Sequence, residues 1–120
     1  MLTTILFVED EPLVAIMVQD MLEELGFAVL GPAGSVAAAL TLLEGAAPAA
    51  AVLDCNLGRE KVWPVAERLQ RERVPFVFST GYGAAGIDPR FASVPVLAKP
   101  YDSASLRTAL ERALRSGAGS

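Results

Sequence analysis

The chain has 120 residues, 52% of them hydrophobic, with 14 acidic against 10 basic side chains. That length suits one domain, which can bury roughly two-thirds of its unfolded surface without covalent staples. The net charge of −4 argues against an electrostatic nucleic-acid binder, the lone Cys55 excludes an internal disulfide, and the lack of histidine removes that side chain as base, ligand or phosphoacceptor.

No basic n-region precedes the first apolar run, and Glu9, Asp10 and Glu11 follow it, so a secretory signal is not expected. Thr4 to Val8 reads as a strand buried on both faces. Pro12 suits a first helical position behind those acids. Leu13, Val14, Met17, Val18, Met21, Leu22 and Leu25 then recur at helical spacing up to a stop at Gly26, with Met17 and Met21 taken as core-edge residues. Gly26 to Leu43 is uncharged for 18 residues, the lower limit for a membrane span. Gly31-Pro32-Ala33-Gly34-Ser35 interrupts it, so the stretch reads as a strand (Phe27 to Leu30), a turn and a helix capped by Ser35 that ends near Gly45.

Ala50 to Leu53 is a third strand, ending at Asp54. A helix spans Arg59 to Arg73, with Pro64 pushing its regular part to about Trp63 and leaving Arg59-Glu60-Lys61 in a loop. Phe76 to Thr80 and Val94 to Ala98 are the last two strands. Gly81 to Ser93 contains three glycines and Pro89, so a short or irregular fourth helix is expected there. Asp102 or Ser103 caps a final helix carrying Leu106, Leu110 and Ala113. The domain is placed at 1–116, with a small-residue tail at 117–120.

Alternating strands and helices imply an α/β doubly wound, flavodoxin-like sheet of five parallel strands in order 2-1-3-4-5. Ligands bind such sheets outside the carboxyl ends of the strands. Glu9, Asp10, Asp54, Thr80 and Lys99 all stand at those ends. Singly, each has an ordinary reading: acids favour a helix start, Thr80-Gly81 is turn chemistry, and Lys99 is a solvated cation. Together they form a cation site beside a nucleophile.

Ile5-Leu6-Phe7-Val8-Glu9-Asp10-Glu11, Asp54 and Thr80 after successive strands, and Lys99-Pro100 closely resemble a response-regulator receiver domain, the phosphoacceptor half of bacterial two-component signalling. The resemblance covers essentially the whole chain. It implies that Asp54 accepts a phosphoryl group from a sensor histidine kinase or a histidine phosphotransfer protein. It further implies that Mg²⁺ (or Mn²⁺) is held by Glu9, Asp10, Asp54 and the backbone carbonyl of Asn56, that Lys99 offsets charge, that Thr80 binds the product, and that the Lys99-Pro100 bond is cis. The expected protein is a cytoplasmic phosphoacceptor rather than an enzyme. It would signal by contact with an unknown downstream protein, by relay or as a phosphate sink, with no direct nucleic-acid or membrane contact.

Four positions depart from the family pattern. Glu9 replaces the first of two aspartates. Val96 stands where many receivers carry a switching aromatic, which leaves Tyr82, Phe91 or Tyr101 to substitute, or a different readout. Phe78-Ser79-Thr80-Gly81-Tyr82-Gly83 partly matches the Phe-Ala-Thr-Gly-x-Tyr motif of receivers that tend to stand alone, with Ser79 and Gly83 differing. Two other classes compete. A Mg²⁺ aspartyl phosphohydrolase would need an acid two residues after the nucleophile, where Asn56 stands. A pseudo-receiver would have no use for the retained Asp10, Asp54, Thr80 and Lys99. No nucleotide-binding glycine motif is present. Trp63 and Cys55 are read as packing residues.

Overall fold

The structure, a computed structural model, describes residues 2–118. The chain runs β1 (Thr4–Val8), α1 (Pro12–Glu24), β2 (Ala28–Ala33), α2 (Val36–Gly45), β3 (Ala50–Asp54), β4 (Asn56–Leu57), β5 (Glu60–Lys61), α3 (Trp63–Arg71), β6 (Phe76–Thr80), β7 (Val96–Ala98) and α4 (Ser103–Ala118). β2-β1-β3-β6-β7 form one parallel sheet, and β4 and β5 form a separate antiparallel hairpin. Without that hairpin, the order is the anticipated 2-1-3-4-5.

Strand alternation divides the apolar side chains between two cores. Leu6, Val8, Leu53 and Phe78 pack with Leu43, Val65 and Leu69 on the face covered by α2 and α3. Ile5, Phe7, Val52 and Val77 pack with Val18, Leu22, Leu106 and Leu110 beneath α1 and α4. Trp63 packs against Phe78 and Phe91, with ring centroids 5.5 and 5.8 Å away. The register pairs Val8 with Leu53, Asp54 with Ser79 and Thr80 with Ala98, so the carboxyl ends of four strands lie level.

The caps follow the sequence. Pro12 opens α1, Ser35 Oγ accepts from the Ala38 amide at 3.1 Å, and Asp102 Oδ1 accepts from the Ser105 amide at 2.8 Å. α3 begins at Trp63 with Pro64 in its first turn, where no intrahelical amide is needed.

Several boundaries differ from expectation. β2 continues through Gly31-Pro32-Ala33 instead of turning after Leu30. It is an edge strand, where a proline removes no ladder bond. Gly31 has φ +114° and lies so close to β1 that a Cβ would stand 2.6 Å from the Phe7 carbonyl oxygen. Leu13 and Met17, placed on the inner side of α1, are 77% and 55% exposed. Val18 and Leu22, of the same expected set, are buried as anticipated, and Ala15 joins them. α1 is apolar over most of its circumference, so periodicity alone does not fix the buried stripe. The loop at Arg59-Glu60-Lys61 contains β5. Between Thr80 and β7 the chain makes two 3₁₀ turns, Gly83–Gly86 and Pro89–Phe91. α4 extends to Ala118 and so includes two of the four residues assigned to the tail, whereas 119–120 lie outside the described residues.

Candidate functional site

The site lies at the level carboxyl ends of β1, β3, β6 and β7. β1 delivers Glu9, which is buried, and Asp10, the most accessible of the three acids. β3 delivers Asp54, also buried. Carboxylate oxygens of Glu9, Asp10 and Asp54 all lie within 4.8 Å of one another. Lys99, just beyond β7, inserts its ammonium between two of them. Its Nζ is 2.8 Å from Glu9 Oε1 and 3.2 Å from Asp54 Oδ2.

One ammonium faces three acids, so the cluster is short of positive charge. Asp54 shows the effect: its carboxyl is pushed up to about 7. Burial is the main cause, and the neighbouring Glu9 adds to it, against the opposing influence of Lys99 and the Asn56 amide. Burial pulls the Lys99 ammonium down, but its bond to Glu9 and the nearby negative charges outweigh that, and its pKa ends above the usual lysine value. A hard divalent cation fits this donor set, because all three side chains offer oxygen and an added positive charge relieves their repulsion.

Hydrogen bonds fix the remaining geometry. Asp54 Oδ1 accepts from the Asn56 amide at 3.3 Å. The Asn56 side-chain oxygen accepts from Lys61, which the loop assignment had left without a role. Gly58, at φ +64°, turns the β4–β5 hairpin beside Asp10; a Cβ there would meet Asp10 Oδ2 at 4.0 Å. Asn56 and Gly58 thus form one wall of the site. The hairpin was missed because its strands are only two residues long and carry no alternating pattern.

Thr80 is buried at the end of β6. Its hydroxyl accepts from the Tyr82 amide at 3.1 Å, and its carbonyl accepts from the Lys99 amide at 2.9 Å. The backbone thus ties Thr80 both to the ammonium-bearing strand and to the segment that follows. The Lys99-Pro100 bond is cis, and so is Gly31-Pro32. Of the aromatics considered in place of Val96, Phe91 is locked among Trp63, Phe76 and Phe78. Tyr101 is partly buried against α4, with its hydroxyl unpartnered, as is that of Ser79. Tyr82 is 78% exposed beside Thr80. Cys55 packs behind the acceptor strand, and burial together with the Asp54 charge pushes its thiol up to about 12, which leaves it unreactive.

The model of the response regulator receiver domain matches residues 5–111. The chain belongs to the receiver-domain family. It is similar to the solution structure of SdrG from Sphingomonas melonis Fr1, with 47% identity and a TM-score of 0.84 over 95% of this chain and 97% of that one. The BeF3-activated conformation of SdrG gives 46% identity and a TM-score of 0.80, covering 94% and 97% of the two chains. The phyllosphere-induced regulator PhyR of Methylorubrum extorquens is 30% identical over 122 residues, which cover 95% of this chain and 44% of that protein. The chain therefore spans less than half the length of that curated relative. Within the receiver family, Glu9, Asp10, Asp54, Thr80 and Lys99 stand at the strand ends where the sequence placed them. Among the described residues, no helix is long and apolar enough to cross a membrane.

Proposed function

We propose that this receiver domain accepts a phosphoryl group on Asp54 from a phosphorylated histidine of a partner protein. The observation that carries the reading is the acidic trio within 4.8 Å, with Lys99 bridging Glu9 and Asp54. An Asp54 carboxylate oxygen attacks phosphorus, the phosphorus–nitrogen bond to the imidazole breaks, and its electron pair leaves with the nitrogen, which takes a proton from solvent. The product is an acyl phosphate. Glu9, Asp10 and Asp54, together with the Asn56 carbonyl, would hold Mg²⁺ or Mn²⁺, which supplies charge neutralisation between the nucleophile and the anionic phosphoryl group.

The protein's own groups do the rest. Lys99 exchanges its carboxylate partners for a transferring oxygen, as a point charge near developing negative charge. The Asn56 amide orients Asp54 through Oδ1. Thr80 donates its hydroxyl hydrogen to the product while the same oxygen accepts from the Tyr82 amide, which couples chemistry at Asp54 to the 81–93 segment. Asn56 cannot titrate as an acid or base, so the role is that of a phosphoacceptor rather than a turnover phosphatase. Leu13, Ile16 and Met17, all exposed on α1 beside the acids, offer an apolar face to the helices of a histidine-bearing partner.

Onward signalling by protein contact agrees with the relatives: PhyR from Bartonella quintana, 25% identical over all of this chain and 51% of that one with a TM-score of 0.83, is described as an anti-anti-sigma factor. Incubation with Mg²⁺ and acetyl phosphate or phosphoramidate, read by intact mass, tests the proposal. One added phosphoryl mass is expected, and none in Asp54→Ala. No adduct from either donor would leave a non-phosphorylated pseudo-receiver as the reading.

A further inference from the structure

The opposite end of the sheet carries a cavity that the phosphoacceptor chemistry does not use. It opens at the amino ends of β6 and β7 and has a volume of about 410 Å³. Phe76 begins β6, so the cavity and Thr80 are separated by the length of that strand, about 13 Å. Val74, Pro75, Phe76, Val94, Pro95 and Ala113 make its walls apolar. Arg73 and Arg112 stand at the wall with Gln70 and Ser93, and among the described residues no acid lines the cavity. Neither arginine is ion-paired among the described residues. In a chain of net charge −4, two guanidiniums beside an apolar crevice with no carboxylate form a local reversal of charge.

Arg73 adds an independent observation. It lies two residues beyond the last residue of α3, with φ +59°, and is the one non-glycine residue with positive φ among the described residues. Its amide bonds the Gln70 carbonyl at 3.2 Å, and the Val74 amide bonds that of Leu69 at 2.9 Å, the left-handed helix stop that normally selects glycine. Capping α3 therefore accounts for the backbone shape but not for an arginine in it. Arg112 lies six residues before the end of α4 at Ala118, beyond the last turn in which a helix dipole rewards a cation. A second cavity of about 550 Å³, lined by Val96, Leu97, Ser105 and Thr108, shares Ser93, Pro95 and Arg112 with the first. The arginine therefore stands where the two meet.

We propose that this crevice binds a small amphiphilic anion, with an apolar body between Phe76, Val94 and Ala113 and a carboxylate or phosphate between Arg73 and Arg112. Its size and lining match those of small-molecule sites, in which apolar walls supply affinity and a few charged groups fix orientation. Guanidinium forks suit both anions.

The test is an amide chemical-shift titration of the ¹⁵N-labelled 120-residue chain with 4-phenylbutyrate, with 4-phenylbutanol and inorganic phosphate in parallel. Phenylbutyrate is expected to shift the Phe76, Val94 and Ala113 amides saturably, with a Kd on the order of 1 mM for so few atoms. The alcohol and inorganic phosphate should each bind about tenfold more weakly. Arg112→Gln and Arg73→Gly should each weaken phenylbutyrate about tenfold. Arg73→Gly should also raise Tm by relaxing the left-handed backbone, so that lost binding cannot be attributed to lost folding. No saturable shift at these amides by about 20 mM, some twenty times the expected Kd, would overturn the proposal. Equal affinity for the alcohol or for inorganic phosphate would do the same, as would unchanged affinity in both variants. Loss of phosphorylation at Asp54 would leave it untouched.

Discussion

The acceptor end of the sheet and the segment that follows Thr80 are built in opposite ways. Glu9, Asp54 and Thr80 stand at the ends of strands whose side chains are almost all fully buried, and ladder register sets their relative positions. From Gly81 to Ser93 the same chain makes two short 3₁₀ turns where a crossover helix would be usual. The first needs positions fixed closely enough for phosphoryl transfer. The second lies outside the ladder, and its Phe91, Ala92 and Val94 amides bond carbonyls only three residues back. One hydrogen bond joins them, from the Tyr82 amide to the Thr80 hydroxyl. On the proposed function, chemistry belongs to the strand ends and its readout to the segment from Gly81 to Ser93.

That contrast is sharpened first by removing its charge. Lys99→Ala should slow adduct formation from acetyl phosphate by about 10²-fold or more, measured by quenched intact mass, because among the described residues no other cation pairs with Glu9 or Asp54. A rate within threefold of wild type would show that Lys99 is only a structural partner of Glu9.

Divalent cation comes next. If the acidic trio binds Mg²⁺, saturating metal should stabilise the chain by about 3 kcal/mol at 100 times Kd, read as a rise in Tm. Asp10→Ala should abolish most of that rise while leaving the metal-free protein folded, because Asp10 is the most accessible of the three acids. An undiminished rise in Asp10→Ala would place the ion elsewhere.

The smallest effect is on pH dependence without metal. The Asp54 carboxyl rises from 3.8 to about 7 on folding. Between those values the folded state binds more protons than the unfolded one, so this group makes stability fall as pH rises, and its unfavourable ionisation is fully expressed above pH 7. Asp54→Asn should therefore stabilise the metal-free chain at pH 8, remove this part of the slope between pH 4 and 7, and show little benefit at pH 4. Urea midpoints at several pH values give the comparison. A variant less stable than wild type at pH 8 would contradict it.

Much of this was legible in the sequence for a physical reason. Short continuous apolar runs bounded by turn residues read as strands buried on both faces, and alternation with helices makes them parallel, which brings Glu9, Asp10, Asp54, Thr80 and Lys99 to one edge. Pro12, Ser35, Pro64 and Asp102 marked helix starts through rules that depend on few neighbours. What escaped depends on tertiary context. β2 runs through Gly31-Pro32 because an edge position tolerates proline and β1 approaches closely. The hairpin from Asn56 to Lys61 is too short to show a pattern. The buried stripe of α1 was ambiguous because Leu13, Ile16 and Met17 are as apolar as the residues that face the core. The amino-end crevice gave no sequence signal, since Arg73 and Arg112 come to line one cavity only in the fold.

The central claim is that chemistry at Asp54 is read by the segment beyond Thr80. Hydrogen–deuterium exchange with and without Mg²⁺ and beryllofluoride, a phosphoryl mimic, tests it most directly. Altered exchange is expected across Gly81–Phe91 in the wild-type chain, with little change in the amides of β3 that precede Asp54, and loss of the Gly81–Phe91 response in Thr80→Ala although the mimic still binds. Identical exchange in Gly81–Phe91 with and without the bound mimic would contradict it.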